Sequence, residues 1–311
     1  HLLFHRGIKT ETEAELFLNT DYDNQTNDPF LLKDIKKTVD RILSAIKKDE
    51  KICIFSDYDA DGIPGAVVLT DFFKKIGFDN YFVYIPHRNI EGFGLNDKSI
   101  EKIIEKEANL LITIDCGISD VDQINKATDA GVYVIITDHH DPNSHQSKAL
   151  AIINPKQNDC DYPDKNLCGA AVIFKVVQAL IKKGKELEKS QEQNEAEVVD
   201  KATNTNDRRF DKIPDGWEKW LLDMVGIATL SDMVPLTGEN RMFAKYGLIV
   251  LQKSPRKGLM QLLSKSSASQ KYLTEEDVVF TIPPRINAAS RMGHPETAFK
   301  MLSTQDEVEA V

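Results

Sequence analysis

The sequence predicts an α/β fold: a parallel sheet with helices on both faces, followed by a mainly helical second half. Short runs rich in Ile and Val recur at residues 51–56, 81–85, 110–115, 132–138 and 149–154, and helical patterns separate them at 65–76, 98–108 and 120–130. The runs are apolar throughout rather than alternating, which marks strands buried on both faces and joined by helical crossovers. Gly77 and Gly131 stand where two of the helices should stop. Ligands of such sheets bind at the carboxyl ends of the strands, so functional side chains are expected there.

Beyond the fifth run the alternation ceases, and helices are expected over 169–183, 216–233, 240–252 and 287–303. The tract 184–215, rich in Glu, Lys, Gln, Asn and Asp, has too few apolar residues to hold a core and reads as a mobile insertion, or else as a solvated helix over 185–202. The chain thus divides into an N-terminal helical segment (1–48), an α/β core with its polar insertion (49–234) and a helical extension (235–311).

Composition sets outer limits. A chain of 311 residues, 41% hydrophobic and 28% charged, has room for one large or two ordinary globular domains. No apolar run approaches the roughly 18 residues a membrane helix needs. The first residue is His1 and the last lies within an acidic helical pattern, so both ends read as points inside a longer protein. With 39 basic and 49 acidic residues the net charge is −10, which argues against coating nucleic acid through a general basic surface. A polyanionic substrate stays open, because bound divalent cations invert the local field of a carboxylate cluster. Cys53, Cys116, Cys160 and Cys168 form no C-x-x-C pair, and a reducing cytoplasm suits them best.

Three of the expected strands end in acids or histidines. The first is followed by Ser56-Asp57-Tyr58-Asp59-Ala60-Asp61-Gly62, the third ends in Asp115-Cys116-Gly117, and the fourth in Asp138-His139-His140-Asp141. Carboxylates gathered on one rim repel one another unless cations compensate, so hard divalent metals are the natural inference. Any one of these acids could instead form a turn or cap a helix, as expected for Asp120. Asp57–Gly62 also fits the opening of a calcium loop, but the twelfth position is Val68 and a strand, not a helix, precedes it. A dehalogenase-type phosphatase would employ Asp59 and Asp61 but leaves the His139-His140 pair without a role.

Asp-His-His after a strand, with Asp-x-Asp after the first strand and Asp-x-Gly after the third, resembles the DHH phosphoesterase superfamily, and within it the RecJ-type single-strand-specific exonucleases. Further matching segments include Pro86-His87-Arg88, Glu91-Gly92-Phe93-Gly94, Ile153-Asn154-Pro155-Lys156, Leu167-Cys168-Gly169-Ala170-Ala171, Ser231-Asp232-Met233-Val234-Pro235 and the stretch 284–292. The resemblance implies that Asp59 and Asp115, with Asp57, hold one cation. It implies that Asp61, Asp115, His139 and Asp232 hold a second, with Asp115 bridging. Two cations would activate a water and offset charge on the attacking and leaving oxygens. His140 would face a phosphate oxygen and Asp138 would orient a histidine from behind.

On the substrate side, Arg88, Arg285 and Arg291 are candidates for phosphate contacts through paired guanidinium hydrogen bonds, with Asn287 beside the last two. Gly169 opens a helix whose free N–H groups could receive a phosphate, or it only permits close packing. His87, His145 and His294 are expected to have no catalytic role. Manganese or magnesium suits the oxygen-rich ligand set better than zinc. The resemblance implies a single-stranded-DNA substrate, 5′ to 3′ polarity and work in DNA repair and recombination, with no membrane partner. Ser290 departs from the family's usual Gly, and the sequence stops before the family's DHH-associated C-terminal domain. Two alternatives remain: a small-substrate DHH phosphoesterase acting on oligonucleotides, cyclic dinucleotides or pyrophosphate, and a catalytically silent DHH scaffold.

Overall fold

A computed structural model of the protein describes residues 1–142, 147–197 and 209–311, with 191–197 described by backbone only. The N-terminal segment carries α1 (Leu2–His5), α2 (Glu11–Leu18), α3 (Tyr22–Gln25) and α4 (Ile35–Lys47). The α/β part follows as β1 (Ile52–Ser56), α5 (Gly62–Lys75), β2 (Tyr81–Tyr84), α6 (Arg88–Glu91), α7 (Asp97–Glu105), β3 (Leu110–Ile114), α8 (Val121–Asp129), β4 (Tyr133–Thr137) and β5 (Ala151–Ile153). The remainder holds α9 (Gly169–Glu197), α10 (Leu222–Ser231), α11 (Gly238–Leu251), α12 (Lys257–Lys265), α13 (Glu275–Arg291) and α14 (Pro295–Ser303).

All five strands pair in parallel, in the order β2-β1-β3-β4-β5. Each expected run became a strand because its side chains are taken up on both faces. Along β1, Ile52 and Ile54 enter the larger core with α4, α5 and α9, while Cys53 and Phe55 enter a smaller core with α7 and α8. Strand order reverses between β1 and β3, and the crevice at their carboxyl ends is where such a sheet binds ligands. No helix among the described residues is long and apolar enough to cross a membrane.

The second half differs from expectation in four places. Helix α9 runs without a break from Gly169 to Glu197, so the first part of the polar tract follows the alternative of a helix over 185–202 rather than a mobile insertion; residues 198–208 lie outside the described residues. The expected helix 287–303 is two helices, parted at Gly293 (φ +86°) and restarted at Pro295. Helix α13 begins earlier, at a capping box of Thr274 and Asp277, and continues through Pro283 and Pro284. Helix α12 was not expected at all.

A buried polar hub ties the N-terminal segment to this framework. Lys175 on α9 donates to Glu239 on α11 (2.9 Å) and to the carbonyl of Asn27 (2.7 Å), while Tyr162 donates to the other oxygen of Glu239. Burial pulls the Lys175 ammonium below its usual range, against the opposing charge of Glu239.

A candidate two-metal centre

The β1–α5 loop is held by its own acids. One oxygen of Asp59 accepts from the N–H groups of Asp61 (2.8 Å) and Gly62 (3.0 Å), so the turn-former reading holds for that oxygen. The Ala60 N–H donates to Oδ1 of Asn287 (3.0 Å), which pins the loop to α13. A Cβ at Gly62 would lie 2.5 Å from the Asp57 carbonyl oxygen, so the loop closes tightly only with glycine there. Asp61 turns toward α9: its two oxygens accept from the N–H groups of Gly169 (2.6 Å) and Ala170 (2.7 Å), an anion on a helix N-terminus.

Asp115 follows β3 in the left-handed region, φ +62°, a strained position for a residue other than glycine. Its N–H continues the sheet by donating to Thr137 (2.9 Å), and its side chain is buried against Gly169, where a Cβ would come within 2.6 Å of it. After β4, Asp138 accepts from the N–H groups of His139 (2.7 Å) and His140 (3.1 Å) and, through Oδ2, from Ile118 (3.0 Å). Oδ1 of Asp138 also lies 2.7 Å from Nδ1 of His140. A carboxylate so saturated with donors is an orienting group; it fixes the His140 tautomer with Nδ1 as donor and leaves Nε2 for a ligand. Asp232 arrives from another direction, as the C-cap of α10.

His139 lies at the centre. Its Nε2 is 3.1 Å from Oδ1 of Asp115 and 3.6 Å from Oδ2 of Asp61, and its Nδ1 is 3.7 Å from Oδ2 of Asp232. Three sets of ligand atoms fall within 4.8 Å of one another: Asp57, Asp59 and Asp115; Asp61, His139 and Asp232; Asp115, His139 and His140. The first groups the residues expected around one cation; the second groups Asp61, His139 and Asp232 without Asp115, which reaches it through His139.

Oδ1 of Asp57 and Oδ1 of Asp115 are buried and accept no hydrogen bond, orphaned acceptors of the kind a cation would satisfy. Burial, then repulsion from Asp59, lifts Asp57 to about 8 and Asp232 to about 6. Burial, then neighbouring carboxylates, raises Asp61 and Asp115 well above the carboxylate range. His139 is lowered to about 4 by burial and by the charge of His140, which keeps its imidazole neutral and able to ligate. His140 is raised, chiefly by its bond to Asp138. Burial raises Asp138, but the bonds and charge of His140 and the Ile118 N–H outweigh it and leave the carboxyl lowered. The cluster cannot carry its full charge alone, and oxygen-rich donors with one neutral imidazole fit hard divalent cations.

The substrate-side expectations fare unevenly. Arg88 lies over the Tyr58 ring (5.2 Å), at the Asp57 side of the rim, and the carbonyl of Arg291 accepts from Asn89 (3.4 Å), which joins the end of α13 to α6. Arg285 is exposed on α13, and its Nη1 donates to the carbonyl of Thr281 (2.7 Å). The side-chain oxygen of Asn287 accepts from Ala60, a positioning contact for the β1–α5 loop. Gly169 is no phosphate cradle: its N–H is taken by Asp61, and its missing Cβ makes room for Asp115. Asp120 sits at the N-cap of α8 but accepts from Leu95 (2.8 Å) instead of capping. Ser290 is buried and bonds to the Asn287 carbonyl (2.9 Å), so the departure from glycine is accommodated. His145 lies outside the described residues.

Two neighbours were missed. Phe93, half exposed, stands edge-on to His140 with ring centroids 5.7 Å apart. Lys156 reaches the loop that carries His139 and His140. Both lie within segments that matched the family pattern, but neither residue type announces a ligand.

A parallel sheet whose strand ends present Asp-x-Asp, Asp-x-Gly and Asp-His-His defines a class, and residues 51–203 match the model of the DHH family, N-terminal domain. The chain belongs to the DHH family. Within it, the chain is 37% identical over 309 residues to the single-stranded-DNA-specific exonuclease RecJ of Bacillus subtilis, covering 99% of this chain and 35% of that protein. It is 30% identical over 310 residues to RecJ of Dickeya dadantii, covering 99% of this chain and 50% of that protein. A crystal structure of exonuclease RecJ bound to manganese superimposes with a TM-score of 0.73 at 29% identity, covering 90% of this chain and 63% of that one. The chain spans about a third to a half of the length of these curated relatives.

Proposed function

We propose that this chain is the metal-dependent catalytic portion of a single-strand-specific exonuclease, hydrolysing phosphodiesters of single-stranded DNA from the 5′ end in DNA repair and recombination. The observation that carries it is the convergence of Asp57, Asp59, Asp61, Asp115, His139 and Asp232 on one rim, with two buried carboxylate oxygens unsatisfied. The relatives' names supply the substrate. Asp57, Asp59 and Asp115 would hold one manganese or magnesium ion, and Asp61, Asp115, His139 and Asp232 the other. When bound, the pair supplies a nucleophile at neutral pH and offsets charge on the attacking and leaving oxygens.

This chain's residues do the rest. Asp138 holds His140 so that Nε2 meets a phosphate oxygen, and the bond that raises His140 favours its charged form as negative charge develops. Arg88, backed by Tyr58, and Arg291 would hold flanking phosphates, and Phe93 offers a ring on which a base can stack. The four cysteines, all free and buried, suit a reducing cytoplasm.

Oligonucleotides labelled at either end, incubated with manganese, test the reading. Mononucleotides released from the 5′ end support it, and release from the 3′ end overturns the polarity. Because the chain spans only part of its relatives, a panel with dinucleotides and pyrophosphate belongs beside them; faster cleavage of these than of a longer strand would establish a small-substrate phosphoesterase instead.

A further inference from the structure

We propose that Lys156 grips a substrate phosphate on the Asp232 side of the rim, so that the strand crosses the carboxylates between Arg88 and Lys156. This rests on the phosphodiesterase reading above. A chain of net charge −10 needs local cations to hold a polyanion, and they must sit where the strand passes.

The placement of Lys156 is built rather than incidental. Asn154, fully buried after β5, donates to the carbonyl of His140 (2.8 Å) and accepts from the Lys156 N–H (2.8 Å). One side chain therefore fixes the Lys156 backbone to the histidine loop. The Lys156 ammonium lies 3.1 Å from Oδ1 of Asp141, the residue after His140. Asp141 is 91% exposed, so this pair is a weak tether that a phosphate can displace. From there the charge of Lys156 acts on both His139 and Asp232, while that of Arg88 acts on Asp57. The two cations thus act on different members of the cluster. A lysine on a flexible stem suits this task, since it meets a phosphate as a point charge without a fixed geometry.

The test measures binding of a short 5′-phosphorylated single-stranded oligonucleotide, in calcium, at several salt concentrations, alongside manganese-dependent hydrolysis of bis(4-nitrophenyl) phosphate. For Lys156→Ala, affinity should fall roughly five-fold and the slope of log K against log salt should become shallower by about 0.7, the release expected for one single-strand phosphate contact. Lys156→Arg should restore both. Hydrolysis of the small diester, which carries a single phosphate, should fall by less than oligonucleotide affinity. Asp141→Asn should tighten binding in the native chain but not beside Lys156→Ala, as expected if Asp141 competes with the phosphate for one ammonium.

An unchanged affinity and salt slope in Lys156→Ala would overturn the inference, while small-diester hydrolysis by the native chain shows that the phosphodiesterase reading stands. Loss of small-diester hydrolysis in Lys156→Ala would overturn it too, by placing the residue in the metal machinery. No manganese-dependent hydrolysis by the native chain would overturn the reading beneath it.

Discussion

Asp115→Asn isolates charge from shape. Asparagine is nearly isosteric and tolerates the left-handed backbone at φ +62°, so the fold around residue 115 should persist. What changes is the bridge. Asp115 shares ligand distance with Asp57 and Asp59 on one side and with His139 on the other, so the anionic donor common to both cation positions is lost. Loss of electrostatic positioning at one such centre costs about 10²- to 10³-fold, and here both are affected, so a fall of at least about 10³-fold in kcat is expected, roughly 4 kcal/mol of transition-state stabilisation. Stability should move the other way. Burial and the neighbouring carboxylates raise Asp115 because its charge is unwelcome in the metal-free protein, so the neutral amide relieves repulsion. The assay pairs manganese-dependent hydrolysis with melting in chelator. The variant should be nearly inactive yet melt at or above the native temperature in chelator. Retained activity, or a melting point far below native, would show that Asp115 is a structural residue and refute the bridge.

Three further outcomes follow from the same contacts. In chelator, Asp57 at about 8 and Asp232 at about 6 bind protons more tightly folded than unfolded, where carboxyls titrate near 3.9; their contribution is complete below about pH 4 and lost as pH rises through 6 and then 8. Melting temperature in chelator should therefore fall from pH 5 to 8, and saturating manganese should flatten the profile. Gly169→Ala should cost about 1–3 kcal/mol by overpacking against Asp115 and lower activity with it, measured by denaturant unfolding and hydrolysis. Lys175→Met leaves the buried Glu239 carboxylate without its cation, which should cost about 3–5 kcal/mol by denaturant unfolding without altering metal affinity in the soluble fraction.

The α/β half was legible because its signals are local: five apolar runs, helical spacing between them and glycine stops. The rim was legible too, since strand ends in a parallel sheet lie on one edge, so Asp57, Asp115 and His139 are brought together by topology alone. Asp232 needed the family pattern, because it arrives on α10 from a part of the chain with no periodic link to the sheet. The errors share a cause. Gly169 and Asp120 each have a residue type suited to ligand binding or capping, but tertiary partners elsewhere in the chain, Asp61 and Leu95, claimed their polar groups. Pro283 and Pro284 stand inside α13 despite their helix-breaking tendency, because Val278, Ile282 and Ile286 of the same helix pack in the core.

The central claim is that two divalent cations share Asp115. Anomalous diffraction from crystals soaked in manganese tests it most directly. The result expected is two peaks, roughly 3.5–4 Å apart, one beside Asp57 and Asp59 and one beside Asp61, His139 and Asp232, with Asp115 between them. A single peak that leaves Asp115 unliganded, or no peak on this rim at millimolar manganese, would contradict it.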